Sequence, residues 1–324
     1  MNPFPFVVGS PRSGTTLVRL MMHAHPALAM FPESRFVTRY ARHRRRYESA
    51  DGFDSARFAD DVLGHEKASQ WKLDAELVRA RLTSDAPADL PGAVRSVFSA
   101  FADQHGKARY GDKTPTYVMD VLLLKVLFPE ARFIHVIRDG RNTAMSLVEN
   151  PFGPKTIGHG VAYWLTRVEA AREASLVLPP GSYFEYRHED LVEDPEAMLR
   201  RICDHIELPY DDAMLRYHED QRESEYYGNR NTHRPPTKGL RDWKGSLPVE
   251  ELRVAEIIAG DMLATLGYEL ATDAGTLLAQ ETEMQRRASA IRQEQAAWEE
   301  RWWRRVNRAP LKDPKPKQHA ATAG

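Results

Sequence analysis

The order of the first three predicted elements constrains the fold of this chain more than any other feature. Residues 4–8 are almost entirely apolar and predict a short buried strand. The glycine loop Gly9–Gly14 follows, and Thr15–His25 predict a helix because apolar residues recur there at helical spacing before Pro26. This order places a helix N-terminus at the carboxyl end of a strand, where backbone N–H groups can bind an anion.

Strands and helices continue to alternate further along the chain. Arg132–Ile137 predict a second buried strand, followed at once by a polar turn and a helix, and Ser182–Tyr186 predict a third strand. Leu191–Ile206 predict a helix, with Asp194-Pro195 suited to its N-cap and first position. Alternating strands and helices imply an α/β fold whose parallel sheet is flanked by helices on both faces.

The 324 residues divide into a main domain and a C-terminal extension. Residues 1–272 predict one domain, in which the charged, largely helical stretch of about 36–109 is an insertion that covers the sheet. Residues 273–306 predict a C-terminal helix with one apolar stripe, which would dock on its own domain or on a second copy in a homodimer. Contact of residues 302–305 (Trp-Trp-Arg-Arg) with a membrane surface is the other alternative. Residues 307–324 are rich in Pro, Lys and Ala and predict a disordered tail.

Charge and composition exclude several classes of protein. The net charge of −1 gives no global attraction for nucleic acid, so an anion site has to be local. A single cysteine, Cys203, cannot form an intrachain disulfide. No apolar run approaches the roughly 20 residues that span a bilayer, and no signal peptide is apparent. We therefore expect a cytoplasmic protein without a transmembrane segment, and we see no cluster of His, Cys and carboxylates typical of a metal site.

The glycine loop has the length of a nucleotide-binding P-loop but different chemistry. A Walker loop has Lys after its second glycine, and here Thr15 occupies that position. The cation is Arg12, inside the loop, whose planar guanidinium suits sulfate or phosphate oxygens. The backbone from Ser13 through Gly14 to Thr15 and Thr16 would cradle the anion.

A second anion site is predicted where the second strand ends. Arg138 follows that strand, and Ser146 lies two turns along the next helix. Together they could hold a second phosphate; the alternative for Arg138 is an ordinary salt bridge, for instance to Asp139.

These motifs resemble those of the PAPS (3′-phosphoadenosine 5′-phosphosulfate)-dependent sulfotransferases. Pro11–Leu17, followed by Ala24-His25-Pro26, is similar to the family's 5′-phosphosulfate loop, and the Arg138…Ser146 pattern is similar to its 3′-phosphate site. The resemblance is closest to the tyrosylprotein sulfotransferases and their bacterial relatives, in which Arg replaces the Lys of cytosolic enzymes. It implies a P-loop-like α/β fold and metal-independent transfer of a sulfuryl group from PAPS to a hydroxyl or amine, releasing PAP.

Two further segments resemble donor-binding parts of the family. Tyr186–Leu191 is similar to a segment near the adenine, although His188 stands where Tyr is usual. Lys238–Lys244 is similar to a late loop that closes over the 3′-phosphate, with Lys238 as the first candidate and Arg241 as the second.

The resemblance also nominates catalytic residues beside Arg12. Glu33 matches the glutamate base of the tyrosylprotein branch, and Lys113 matches a lysine near the bridging oxygen. The alternatives are that Glu33 is a surface acid paired with Arg35, that Lys113 is paired with Asp112, or that a nearby histidine, His23 or His25, is the base.

Two other functions remain open at this stage. A P-loop kinase or NTPase is disfavoured by Thr15 and by the lack of a clear Mg²⁺ acid, and a non-catalytic nucleotide-binding protein is disfavoured by the presence of both Glu33 and Lys113. The class of acceptor stays open among small molecules, carbohydrates and peptides, because no motif covers the segments where acceptor specificity is expected.

Overall fold

The fold is built around one parallel sheet. The computed structural model describes residues 2–151, 153–219, 234–237, 242–272, 283–308 and residue 311. The sheet has five strands in the order β2-β5-β1-β6-β7, all paired in parallel. Its strands are β1 Phe4–Gly9, β2 Leu28–Pro32, β5 Arg109–Lys113, β6 Ala131–Ile137 and β7 Tyr183–Arg187. A small antiparallel pair, β3 Glu48–Ser49 and β4 Gly52–Phe53, lies outside it.

Helices cover the sheet and fill the long insertion. The first half of the chain contributes α1 Thr15–Ala24, α2 Phe36–Arg42, α3 Ser55–Leu63, α4 Ala68–Trp71, α5 Ala75–Asp85 and α6 Leu90–Gln104. The second half contributes α7 Val121–Leu127, α8 Gly140–Val148, α9 Ile157–Ser175, α10 His188–Glu193, α11 Pro195–His205, α12 Val249–Thr265 and α13 Glu283–Arg308. Short 3-10 turns lie at Arg44–Arg46, Pro115–Asp120, Asp212–Glu219 and Trp243–Gly245.

The central strand β1 explains why the N-terminal segment is so apolar. Every residue of β1 is buried, because the strand has neighbours on both edges and helices on both faces. Phe4 and Phe6 pack in a cluster of aromatic rings that includes Phe98 and Phe128. Each fully buried Phe contributes about 1.5–3 kcal/mol by leaving water, so this strand is a fixed platform for the loop that follows it.

The α/β fold with its helical insertion and C-terminal helix is confirmed, but two strands of the main sheet were missed. The sequence did not predict β2 or β5, each of which has five residues. β5 is not recognisable as a run of apolar residues because it contains Asp112 and Lys113, whose charged side chains are fully buried in the fold. The boundary of the predicted insertion at residue 109 coincides with the start of β5.

The helix predicted at 191–206 is wrong in one respect, since the structure divides it. α10 ends at Glu193, and α11 starts after Asp194, whose side chain accepts a hydrogen bond from the Ala197 amide as an N-cap. The Asp-Pro pair therefore starts a new helix, as its capping chemistry requires.

The C-terminal helix docks on its own domain. α13 begins at Glu283 and packs against α9, α12 and α2, and its buried residues Ala288, Ile291 and Gln295 form the stripe that faces these helices. Glu299 makes two hydrogen bonds with the buried Arg167 of α9, at 2.6 and 3.1 Å. Most of the remaining extension, residues 273–282, 309–310 and 312–324 with their predicted disordered tail, lies outside the described residues.

None of the helices in the described part of the chain is long and apolar enough to cross a membrane.

Candidate active site

Predicted site residues from four segments meet at the carboxyl ends of the sheet's parallel strands. Because β2, β5, β1 and β6 are parallel neighbours, their carboxyl ends lie side by side. Glu33 follows β2, Lys113 ends β5, the loop from Gly9 follows β1 and Arg138 follows β6. Four segments that are far apart in the sequence thus form one surface.

The anion loop, which we define as Gly9–Thr16, ends at a helix N-terminus with unused donors. Gly14 is the N-cap of α1, has φ 94°, and provides no side-chain hydrogen bond to the helix. Many other helices of the chain, by contrast, begin with an aspartate or threonine cap, such as Asp54, Asp89 and Thr156. The first-turn N–H groups of an uncapped helix need an acceptor, and Thr15 and Thr16 form that first turn, so the site suits an anion.

Inside the loop, Arg12 connects the two predicted anion sites. Its Nε donates a 2.8 Å hydrogen bond to Oγ of Ser146 on α8. Ser13 is fully buried, and its Oγ donates to the Ser10 carbonyl at 2.6 Å, which holds the turn closed. The φ of 74° places Arg12 in the left-handed region, a backbone strain that non-glycine residues adopt mainly where the surroundings impose it.

His188 lies directly over the anion loop. A Cβ placed on Gly14 would approach His188 Nδ1 to 2.3 Å, so this close approach requires glycine. Burial and then the charge of Arg138 lower the pKa of His188 to about 3, so the ring is neutral near pH 7. His188 Nδ1 is buried without a hydrogen-bond partner, an atom that a ligand in the anion loop could satisfy.

Asp139 anchors the C-terminal end of the predicted late loop. It caps α8, forms a salt bridge with the buried Arg141 at 2.8 Å and accepts a 3.1 Å hydrogen bond from Trp243 Nε1. Arg141 also pairs with the buried Glu256 at 2.6 Å. Lys238 and Arg241 themselves lie outside the described residues, but Trp243 attaches the end of the same loop to Asp139, the residue after Arg138.

Hydrogen bonds across the sheet hold Glu33 in place. Its amide donates to the Lys113 carbonyl at 2.8 Å, which extends the β2–β5 ladder by one residue. The next residue, Ser34, is buried. Its amide donates a 3.3 Å hydrogen bond to Asp112 Oδ1, and its hydroxyl forms a 3.0 Å hydrogen bond with the Tyr117 hydroxyl. Glu33 itself has φ 41°, so these contacts keep a strained backbone in one conformation.

Three cations surround the Glu33 carboxylate. Lys113 Nζ lies 2.9 Å from Oε1, while Arg35 Nη2 and Lys67 Nζ lie 2.9 and 3.9 Å from Oε2. Burial alone would raise the pKa of Glu33, but the charges of Lys113 and Arg35 outweigh burial and lower the pKa to about 2. The Lys113 side chain is 0% exposed, and burial lowers its pKa while Glu33 opposes that shift.

Asp112 does not take the place of Glu33 as the partner of Lys113. Its Oδ1 accepts a hydrogen bond from the Ser34 amide at 3.3 Å, and burial raises its pKa to about 7. The structure therefore favours the Glu33–Lys113 pair over the alternative in which Lys113 is held by Asp112.

The low pKa of Glu33 predicts how stability depends on pH. Since the pKa falls from 4.5 to about 2 on folding, the stabilisation by the ion pairs is complete above pH 4.5 and is lost as the pH falls towards 2. We expect urea unfolding to show that the wild type loses more free energy of unfolding between pH 6 and pH 3 than Glu33→Gln does. Glu66→Gln, a change at an exposed neighbouring acid, should behave like the wild type. Equal losses in the wild type and Glu33→Gln would contradict the ion-pair geometry.

Comparison with known proteins identifies the family of this chain. The model of the family described as "Sulfotransferase family" matches residues 3–212, which is more than half of the chain. The chain belongs to the sulfotransferase family. The predicted resemblance to that family is thereby confirmed, and the relatives described next confirm its resemblance to the tyrosylprotein branch.

Relatives of this sulfotransferase include animal enzymes and a bacterial structure. It is 26% identical to protein-tyrosine sulfotransferase A of Caenorhabditis elegans over 283 residues, 83% of this chain and 68% of that protein. It is 26% identical to protein-tyrosine sulfotransferase 1 of Danio rerio over 282 residues, 82% of this chain and 72% of that protein. The sulfotransferase domain of the Synechococcus PCC 7002 olefin synthase shares the fold, with a TM-score of 0.61, 23% identity, and coverage of 83% of this chain and 96% of that chain.

Two histidines considered as alternative bases have structural contacts in this sulfotransferase. His23 Nδ1 accepts a hydrogen bond from the Met30 amide, and His25 follows the last turn of α1, where its Nδ1 accepts one from the Ala27 amide. Both therefore hold the turn between α1 and β2, at the edge of the sheet away from Glu33.

Sequence reasoning missed one residue of the site. Lys67 approaches Glu33 from the helical insertion, in a segment where no motif is recognisable. Only the folding of the insertion over the sheet edge brings it there, so no sequence signal could have identified it. Among the described residues, no group of His, Cys, Asp or Glu side chains is arranged to hold a metal ion.

Proposed function

We propose that this sulfotransferase transfers the sulfuryl group of PAPS to an acceptor hydroxyl or amine. One observation carries the proposal: an uncapped helix N-terminus, an arginine-containing anion loop and the Glu33–Lys113 pair meet at the carboxyl edge of adjacent parallel strands. A kinase of the P-loop type would need a Walker lysine, and Thr15 stands in its place.

The residues present fit PAPS at both of its anionic ends. Arg12, Ser13, Gly14, Thr15 and Thr16 would hold the phosphosulfate through the guanidinium and the free amides of α1. Arg138 and Ser146 would hold the 3′-phosphate. The family resemblance further implies that His188 lies near the adenine and that Lys238 or Arg241 closes over the 3′-phosphate. When bound, PAPS supplies an activated sulfuryl group and a phosphate leaving group.

Protein side chains would manage the proton and the charge during transfer. The acceptor oxygen or nitrogen forms a bond to sulfur while the bond from sulfur to the 5′-phosphate oxygen breaks, and PAP leaves with the electron pair. Glu33 would accept the acceptor's proton, and Lys113 with Arg12 would stabilise the negative charge that develops on the phosphate. None of these roles requires a metal ion.

The proposal also covers the class of acceptor. The names of the relatives support a peptide tyrosine as one acceptor, and carbohydrates and small molecules are the other classes to test. Arg35, whose side chain is 46% exposed beside Glu33, would face such an acceptor. Homodimer formation through α13 and a cytoplasmic location stay predictions.

Binding of PAP to the wild type tests the donor assignment without any acceptor. A ligand that binds only the native state adds about 2.7 kcal/mol of stability at 100 times its Kd. We expect low-micromolar or tighter binding, and therefore a rise of several degrees in the melting temperature with millimolar PAP.

ATP with Mg²⁺ is the matched control ligand. It should stabilise the protein less than PAP does, and EDTA should leave both PAP binding and turnover of PAPS unchanged. No melting shift with PAP would remove the donor assignment, and activity lost in EDTA but restored by Mg²⁺ would favour a kinase. PAP binding without turnover of PAPS on any acceptor class would favour a non-catalytic binding protein.

A further inference from the structure

Lys113 stands between the two halves of the proposed reaction. On one side it is in register with Val7 of β1, two residues before the anion loop starts at Gly9. On the other side it is in register with Pro32 of β2, the residue before Glu33. A side chain at this position can therefore interact either with a ligand in the anion loop or with Glu33.

In the structure, Lys113 is paired with Glu33, the proposed base. Its Nζ lies 2.9 Å from Glu33 Oε1, and its side chain is fully buried. Arg35 and Lys67 contact the other carboxylate oxygen, Oε2. The two oxygens thus have different partners. Only Oε1 pairs with Lys113, the cation that would also stabilise the phosphate of the donor.

This arrangement makes Glu33 a poor base until Lys113 moves. A general base works best when its pKa lies near the working pH, whereas the surrounding cations hold the pKa of Glu33 near 2. The charged groups that face its carboxylate come from β5, from the turn after β2 and from the insertion: Lys113, Arg35 and Lys67. Among these, Lys113 has the largest effect on that pKa.

We propose that Glu33 and Lys113 form a donor-gated pair, in which a donor in the anion loop draws the Lys113 ammonium away from Glu33 Oε1 and so frees the carboxylate to accept the acceptor's proton. The inference rests on the proposed function and adds an order of events to it. The donor's phosphate replaces Glu33 as the anionic partner, so the buried ammonium is never left without one. Arg35 and Lys67 keep Oε2 in place while Oε1 becomes available.

The pair has a consequence for donor binding that requires no acceptor. In the wild type, binding has to break the Glu33–Lys113 contact, so Glu33 opposes the donor. Removing the carboxylate leaves Lys113 ready for the donor, and Glu33→Gln should bind PAP about tenfold more tightly, within the range measured for coupling between contacting side chains. PAP is a suitable probe because its 5′-phosphate carries the oxygen that bridges to sulfur in the donor.

A double-mutant cycle separates this coupling from simple charge repulsion. PAP affinity would be measured by calorimetry at one ionic strength for the wild type, Glu33→Gln, Lys113→Met and the double variant, with Glu66→Gln as the control that removes a nearby exposed carboxylate. We expect Glu33→Gln to tighten binding only where Lys113 is present. In the Lys113→Met background its effect should be no larger than that of Glu66→Gln.

A second measurement follows the Glu33 carboxyl group in the wild-type protein itself. Carboxyl ¹³C NMR of the wild type, with the Glu33 signal assigned by its absence from Glu33→Gln, should show the Glu33 pKa rising when PAP is added. An unchanged pKa, an unchanged or weaker PAP affinity in Glu33→Gln, or tightening that persists without Lys113 would each overturn the gate. Failure of the wild type to bind PAP at all would instead overturn the proposed function.

Discussion

Replacing Glu33 with glutamine is expected to lower kcat about 10²–10⁴-fold, the usual contribution of a positioned general base, without weakening PAP binding. Glutamine keeps the shape of the side chain and can still accept from Lys113 and Arg35, but it cannot accept the acceptor's proton. Steady-state assays with an acceptor found by screening labelled PAPS, together with a pH profile, would measure the effect. The acidic limb of the profile should disappear in the variant.

Glu66→Gln is the matched control for this experiment, because it removes a neighbouring exposed carboxylate that has no place in the proposed chemistry. It should turn over at the wild-type rate. Near wild-type turnover of Glu33→Gln would mean that Glu33 is only an ion-pair partner of Arg35 and Lys113. The base would then have to be sought in the insertion, where His65 lies near Lys67 and Arg35.

The second large effect is expected in the donor site. Arg12→Ala and Arg138→Ala should each weaken PAP binding by about 1.5–3 kcal/mol, the value of a charge-assisted hydrogen bond, which corresponds to about 10- to 150-fold in Kd. Arg12 comes from the loop after β1 and Arg138 from the end of β6, so the two changes affect different ends of the ligand. Calorimetry with PAP measures both.

Arg79→Ala provides the control for net charge. Arg79 lies on α5 of the insertion and forms an exposed salt bridge with Asp60 at 2.6 Å, so its loss changes the protein's charge by the same amount without touching the site. We expect its PAP affinity to equal that of the wild type. If all three arginine variants bound PAP equally well, the donor would not lie between the anion loop and α8.

The donor-gated pair gives these experiments a common interpretation. Glu33→Gln should separate the two activities of the site, since it is expected to bind the donor more tightly and to transfer more slowly. Arg12→Ala should weaken donor binding and, with it, the release of Lys113 from Glu33. A gate of this kind would favour donor binding before acceptor deprotonation, because the carboxylate becomes a useful base only when the anion loop is filled.

Local motifs in the sequence were sufficient to predict the fold class and to nominate the site. The strand, loop and helix of residues 4–25 follow from apolar spacing and from glycine and proline positions within one short segment. Arg12 was nominated as the cation inside the glycine loop, and Arg138 and Ser146 as a residue at a strand end and one on the helix that follows it, where anions bind. Such signals are readable because the residues that produce them are neighbours in the chain.

Contacts between distant segments could only be decided by the tertiary structure. β2 was missed because a short apolar run cannot be told from a buried helix segment by periodicity alone, and β5 because its buried Asp112 and Lys113 read as surface residues. The partner of Lys113 also depends on register: Glu33 lies 80 residues away and reaches it only because β2 pairs with β5.

The difference between local patterns and long-range contacts also applies to the elements around the site. The sequence determined that this chain is an α/β protein with an arginine-containing anion loop, because backbone propensities and helix-terminus chemistry act over a few residues. Only the folded chain decided that Lys67 of the insertion contacts Glu33, that Trp243 attaches to Asp139, and that α13 docks on α9. Those contacts depend on the packing of complete helices and on the pairing of strands, which no local pattern specifies.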